Sequence, residues 1–227
     1  MHKNSDISSG ITYRNELLRK GIHLLSLTIP IVYSFTDRSL AITILAPMAI
    51  ISVLIDVLSH VNHSVREMMF KVFGKLLRPH EVRSDKILLN GASYVLISAL
   101  LCVVIFPKII MITAFSILIV SDTAAALFGR KFGRSRFFDK SLEGAGAFFF
   151  SAAGVVAVVG IFSDSNTPFY VSGMIAAIAG AVVESASIRL RLDDNLSIPL
   201  SVGGVLLIGD WIATHFFNYK TFLTLLP

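Results

Sequence analysis

Apolar residues in this chain are gathered into blocks about 17 to 21 residues long, enough helix at about 1.5 Å per residue to cross roughly 30 Å of hydrocarbon. A water-soluble domain of 227 residues that is 54% hydrophobic and 15% charged would have more apolar surface than it can hide. The blocks predict an all-α, polytopic integral membrane protein built as a single domain over 1–227. About seven transmembrane helices are expected, at 21–36, 40–58, 88–106, 109–128, 142–162, 169–188 and 197–217.

The segments between the blocks give the chain its orientation. Residues 1–20 are polar and basic, with no short apolar core followed by a small-residue cleavage site, so a removable signal peptide is not expected. Asp37-Arg38, Pro107-Lys108 and the stretch 163–168 read as tight turns. With a cytoplasmic N-terminal segment at 1–20, all of the 20 Lys and Arg residues except Arg38, Lys108 and Lys220 fall on the inner side. Lys and Arg resist translocation, so this asymmetry sets the topology. It also accounts for the net charge of +5 without nucleic acid as a partner.

Cys102 is the single cysteine, which excludes an internal disulfide and a cysteine-based metal centre, and it is expected to be a packing residue. In the inner loop 59–86, Val65, Met69, Val72, Phe73, Leu76 and Leu77 return on one helical face while Lys71, Lys75 and Arg78 share another. That pattern predicts a cytoplasmic amphipathic helix at the membrane interface, ended near Pro79.

Ionisable groups inside spans are costly, and each is a candidate for function or for a buried pair. Asp56, Asp122 and Glu184 lie near the inner ends of their spans, with His23 and Glu143 at the same level. Asp56 is expected to neutralise an Arg or Lys. Asp210, beside Trp211 in an outer half, reads as an interface or packing residue.

Asp122 belongs to a longer pattern, Ser121-Asp122-Thr123-Ala124-Ala125-Ala126-Leu127-Phe128-Gly129-Arg130-Lys131-Phe132-Gly133-Arg134, followed by Lys140-Ser141-Leu142-Glu143-Gly144. The alanines let helices approach around the carboxylate. Gly129 and Gly133 are expected to free the backbone beyond the helix end and expose N–H groups to an anion, with 129–141 as a cytoplasmic nucleotide-binding loop. Arg130, Lys131, Arg134 and Lys140 supply positive charge, and Asp122 and Glu143 suit Mg²⁺. Asp122 is expected to persist as an anion only beside cations, here Mg²⁺ and the Arg130, Lys131 and Lys140 cluster. Asp139 occupies the place where a Walker A loop needs glycine, so any nucleotide is held by a different architecture.

These two runs resemble the signature of the polytopic CTP-dependent lipid-alcohol kinases, which phosphorylate dolichol, phytol or diacylglycerol. Glu16-Leu17-Leu18-Arg19-Lys20-Gly21-Ile22-His23 is similar to that family's Glu-x-x-Arg-Lys-x-x-His element. Glu184 and Asp193-Asp194-Asn195-Leu196-Ser197-Ile198-Pro199 resemble its Glu followed by Asp-Asp-Asn-x-x-x-Pro. With Asn90-Gly91-Ala92-Ser93-Tyr94, the resemblance runs from residue 16 to 200.

It implies that CTP, with Mg²⁺, gives its γ-phosphate to the hydroxyl of a membrane lipid alcohol. The site residues it implies are Arg19, Lys20, Asp122, Gly129, Lys140, Glu143, Glu184, Asp193, Asp194 and Asn195; of these, Arg19, Lys20, Gly129, Lys140, Asp193, Asp194 and Asn195, with Arg130, Lys131 and Ser141 beside them, are expected to bind the nucleotide. Asp122, Glu143 and Glu184 are expected to hold metal, Asp122, Lys140 and Glu184 to be catalytic, and His23 to act as a general base. The signature is also distantly similar to phosphatidate cytidylyltransferases, which transfer CMP to a lipid phosphate. A small transporter or a non-catalytic membrane protein is the reading from a different class, since intramembrane carboxylates occur in carriers. Against it, these carboxylates gather at one surface.

Overall fold

The computed structural model describes residues 13–73, 89–190 and 193–226. Their helices are α1 (Tyr13–Leu25), α2 (Thr28–Ser34), α3 (Arg38–Val61), α4 (His63–Phe73), α5 (Gly91–Ile105) and α6 (Lys108–Phe132), then α7 (Leu142–Phe162), α8 (Thr167–Leu190) and α9 (Asp194–Phe216). An antiparallel hairpin of β1 (Arg136–Phe137) and β2 (Lys140–Ser141), which the sequence did not suggest, joins α6 to α7.

Among the described residues, α3, α6, α7, α8 and α9 are long and apolar enough to cross a membrane, while the apolar α5 is shorter, at 15 residues. Large apolar side chains stand exposed along the outside, among them Ile44, Ile51 and Leu54 on α3, Phe150 and Ile161 on α7, and Ile178 on α8. Water penalises such a surface and hydrocarbon does not, so this is a helical membrane protein.

α6 is the axis of the bundle. Every residue from Ile109 to Ile119 is buried, as befits a helix that is apolar all round. α1, α2, α5, α7 and α9 pack on it, α8 closes the gap between α7 and α9, and α3 lies against α5. Four of these helices begin at side-chain caps: Asp37 for α3, Asn90 for α5, Ser141 for α7 and Asp193 for α9 each accept a backbone N–H with the side chain.

The first apolar block departs from expectation. It is not one helix over 21–36: α1 begins at Tyr13, ends at Leu25, and α2 starts at Thr28. Pro30 has no N–H to give the Ser26 carbonyl and its ring crowds that oxygen. Ser26 O instead accepts from Ile29 N–H at 3.0 Å, one residue tighter than a helix would pair it. The early start turns Arg19, Lys20 and His23 into residues of one helix, where the sequence reading left Arg19 and Lys20 in a polar leader. α6 likewise runs four residues past the expected 128 and takes Gly129 to Phe132 out of the loop. α4 covers the beginning of the expected amphipathic helix, and Lys75, Leu76, Leu77, Arg78 and Pro79 lie outside the described residues.

Two buried carboxylates are structural. Among the described residues the partners of Asp56 are neutral, in place of the expected Arg or Lys: Oδ2 accepts from Asn90 N–H at 2.9 Å and Ser93 Oγ at 2.6 Å, and Oδ1 from Asn90 Nδ2 at 2.6 Å. Asp56 thereby ties α3 to the cap of α5. At the other end, Asp210 accepts from Thr221 Oγ1 at 2.8 Å and Phe222 N–H at 2.8 Å, folding the C-terminal segment back so that Phe222 is fully buried. In both places the partners supply the donors that a carboxylate withdrawn from water requires.

Candidate functional site

The helix phase of α1 builds the first half of the site. Lys20 and His23 are three residues apart and share the face turned to α6, while Leu17, Leu18 and Ile22 stay exposed. Lys20, 3% exposed, donates to the Asp122 carboxylate and, at 3.3 Å, to the Asp122 backbone carbonyl. His23 Nε2 lies 3.6 Å from the same carboxylate and has no hydrogen-bond partner among the described residues. The expectation that Asp122 needs a cation is met, but by a different cation. Lys20 holds it, not the Arg130, Lys131 and Lys140 cluster alone.

Lys140 centres the second half. Its Nζ donates to Glu184 Oε1 at 2.6 Å and to Asp194 Oδ2 at 3.1 Å, linking the β-hairpin to α8 and α9. Burial disfavours the charged form, but the carboxylates of Asp194, Glu184 and Asp122 outweigh it and hold the ammonium above the ordinary lysine value. Lys140 is therefore a fixed positive charge at neutral pH, and Asp122 is close enough to be felt from it. Glu184 is 2% exposed and takes a further hydrogen bond from Ser185 Oγ at 3.3 Å. Asp194 Oδ1 is buried without a hydrogen-bond partner.

Lys20, His23, Asp122, Lys140, Glu184 and Asp194 thus stand together at one end of the bundle, between α1, α6, α8, α9 and the hairpin. Other residues implied by the resemblance take structural places. Asp193 Oδ1 accepts from Asn195 N–H and Asn195 Nδ2, both at 2.9 Å, which makes these two the cap of α9. Ser141 Oγ accepts from Gly144 N–H at 3.1 Å and caps α7. Glu143 accepts from Ser135 N–H, its two oxygens 3.2 and 3.4 Å from that nitrogen. Lys131 lies 5.2 Å from the centre of the Phe132 ring, and both Lys131 and Arg130 are exposed on the last turn of α6. Arg19 is half-buried beside Lys20.

Gly129 and Gly133 correct the sequence reading. Gly129 is inside α6, and Gly133 N–H bonds back to its carbonyl at 2.9 Å, so that N–H is not presented to an anion. What both need is closeness: a methyl on Gly133 would sit 2.3 Å from the Gly129 oxygen and 2.9 Å from Ser141 Oγ. These glycines let the hairpin lie flat on the end of α6, and so bring Lys140 to α8.

For Mg²⁺, no group of three or more His, Cys, Asp or Glu stands ready among the described residues, so the expected set of Asp122, Glu143 and Glu184 does not converge. Mg²⁺ in phosphoryl-transfer sites is held by one or two carboxylates and completed by phosphates and water. Glu184 and Asp194, with one unpartnered Asp194 oxygen, fit that smaller demand.

No family model matches the chain, and no solved structure matches it. It is 35% identical over 186 residues to the uncharacterized protein RP860 of Rickettsia prowazekii (strain Madrid E), a match covering 82% of this chain and 90% of that protein. It is 31% identical over 121 residues to the uncharacterized protein MJ1137 of Methanocaldococcus jannaschii, covering 52% of this chain and 58% of that one.

Proposed function

This chain belongs to the family of the Rickettsia prowazekii protein RP860, and we propose for it the activity its charge cluster supports best, a CTP-dependent kinase that phosphorylates the hydroxyl of a membrane lipid alcohol. The observation that carries the reading is the meeting of Lys20, Asp122, Lys140, Glu184 and Asp194 at one end of an apolar bundle, on the segments that resemble the lipid-alcohol kinases. Phosphoryl transfer asks a protein chiefly for positioning and for charge near the phosphates, and this cluster offers both.

Lys140 binds the phosphates as a point charge, leaving its place between Glu184 and Asp194 in part. Glu184 and Asp194 are the residues that would hold Mg²⁺, and the ion would neutralise charge on the transferring group. Lys20 keeps Asp122 in place. His23 takes the proton of the lipid hydroxyl on Nε2, and Asp122 stabilises the imidazolium so formed. The lipid oxygen then bonds to the γ-phosphorus as the bond to the β-phosphate oxygen breaks, releasing CDP. The hydroxyl reaches His23 from hydrocarbon, across the exposed apolar flank of α1.

We read α1 with α2 as the first of seven crossings and α5 as the third, with the N-terminus and the site cytoplasmic. A reporter active only in the cytoplasm, fused after Pro227, is expected to be silent, and strong activity would mean an even number of crossings. The donor is tested with purified protein, a panel of lipid alcohols and labelled CTP. Label from the γ-phosphate is expected in the lipid, and much less from γ-labelled ATP. Label from the α-phosphate would instead identify a cytidylyltransferase, and label from neither would end the nucleotide reading.

A further inference from the structure

Lys140 has a long, rotamer-rich side chain on a hairpin whose strands are two residues each. Strands that short do not hold themselves in place, and ordering such a side chain is entropically costly. Something else seats it, and the contacts of the preceding residue show what.

The carbonyl of Ser185 and the N–H of Arg189 are one helical turn apart in the last turns of α8. Here each of those groups meets Asp139: its N–H donates to Ser185 O at 3.2 Å, and Arg189 N–H donates to Asp139 Oδ2 at 3.1 Å. Arg189 Nε donates to the other oxygen, Oδ1, at 3.0 Å. The Arg189 guanidinium also lies 5.5 Å from the centre of the Phe138 ring, a cation–π arrangement. Phe138 has φ of 52°, a left-handed conformation unfavourable to an aromatic residue and sustained only where neighbours over-determine it. Asp139 and Lys140 together therefore engage α8 at Glu184, Ser185 and Arg189.

We propose that Asp139 is a positioning residue, a latch that docks the hairpin on the end of α8 by bridging Ser185 and Arg189 and so aims Lys140 between Glu184 and Asp194. Its importance for catalysis rests on the kinase reading, whereas the latch itself does not. The contacts of Asp139 are with α8, so it acts through Lys140. Its effect is on where one ammonium waits.

Competitive acetylation of lysine amines on the whole protein in detergent, read by mass spectrometry, tests this without reference to activity. Lys140 is compared with Lys131, an exposed lysine on α6. In the parent protein Lys140 is protected by its ion pairs. Asp139→Ala is expected to raise its labelling about tenfold, the scale of losing hydrogen bonds to a charged group. Asp139→Asn keeps an acceptor for Arg189 N–H and is expected to stay within about threefold of the parent. Arg189→Ala trims only a largely exposed guanidinium, so it is expected to fold normally and to raise labelling by about threefold.

In transfer assays, Asp139→Ala is expected to raise KM for CTP and leave KM for the lipid unchanged. Lys140 labelling equal to the parent in a folded Asp139→Ala protein overturns the latch. If that variant does not fold, unchanged labelling in Arg189→Ala overturns it instead. Increased labelling in a protein whose parent transfers no phosphate supports the latch and removes the kinase reading, so the two fail separately.

Discussion

Lys20→Met is expected to lower the stability of the folded protein by about 3–5 kcal/mol, the range for breaking a buried ion pair by removing one partner. Lys20 is 3% exposed and Asp122 7%, so the carboxylate left behind cannot recover its hydration by turning outward. His23, 3.6 Å away, is too distant to replace the lost hydrogen bonds. Lys20→Met combined with Asp122→Leu is expected to regain most of the loss, because two apolar side chains of similar volume often substitute for a buried pair at little net cost. The same double variant should have no transferase activity. Thermal melting in detergent checks the order: parent first, double variant near it, Lys20→Met well below. A Lys20→Met protein that melts like its parent would show that Lys20 does not compensate Asp122. The pair also changes what Asp122→Asn means, since that substitution strands a buried ammonium and so removes stability together with charge.

Lys140→Met is expected to reduce turnover by about a hundredfold or more, the scale of removing one electrostatic anchor of a transition state. It also leaves Glu184, at 2% exposure, without its cation, so a fall in stability accompanies it. Lys140→Arg separates the two effects. The guanidinium keeps the charge beside Glu184 and Asp194 but spreads it over a planar fork that does not reproduce a compact ammonium. Melting within about 1 kcal/mol of the parent, with turnover still more than tenfold down, is the expected result. Full turnover in Lys140→Arg, measured by transfer of γ-label to lipid, would show that Lys140 supplies charge and no geometry. Full turnover in Lys140→Met would take it out of the site.

The sequence by itself determined what depends on solvent and on local rules. Blocks of apolar residues specified helices in a membrane, and the Asp37-Arg38 and Pro107-Lys108 pairs marked turns between them. The cost of a charge in hydrocarbon singled out Asp122 and Glu184 and required that each have a partner. The same argument flagged Asp56 and Asp210, but the identity of a partner is not a local property. Asp56 is held by Asn90 and Ser93, 34 and 37 residues away, and Asp122 by Lys20, 102 residues away. Which donor arrives depends on how helices are rotated about their axes and on where they bend.

Pro30 decides one such bend, between α1 and α2, and the start of α1 at Tyr13 puts Lys20 against α6 and not in a leader. Gly133 shows the same limit from the other side: glycine after a helix reads as freedom for the backbone, whereas here it is the absence of a side chain that lets the hairpin touch α6 and Ser141. Asp139 carried no signal beyond failing to be the glycine of a Walker loop. Only the packing of the hairpin on α8 gave it partners, because two of its hydrogen bonds go to backbone groups of Ser185 and Arg189 that any residue would offer, and its side-chain partner Arg189 lies 50 residues away.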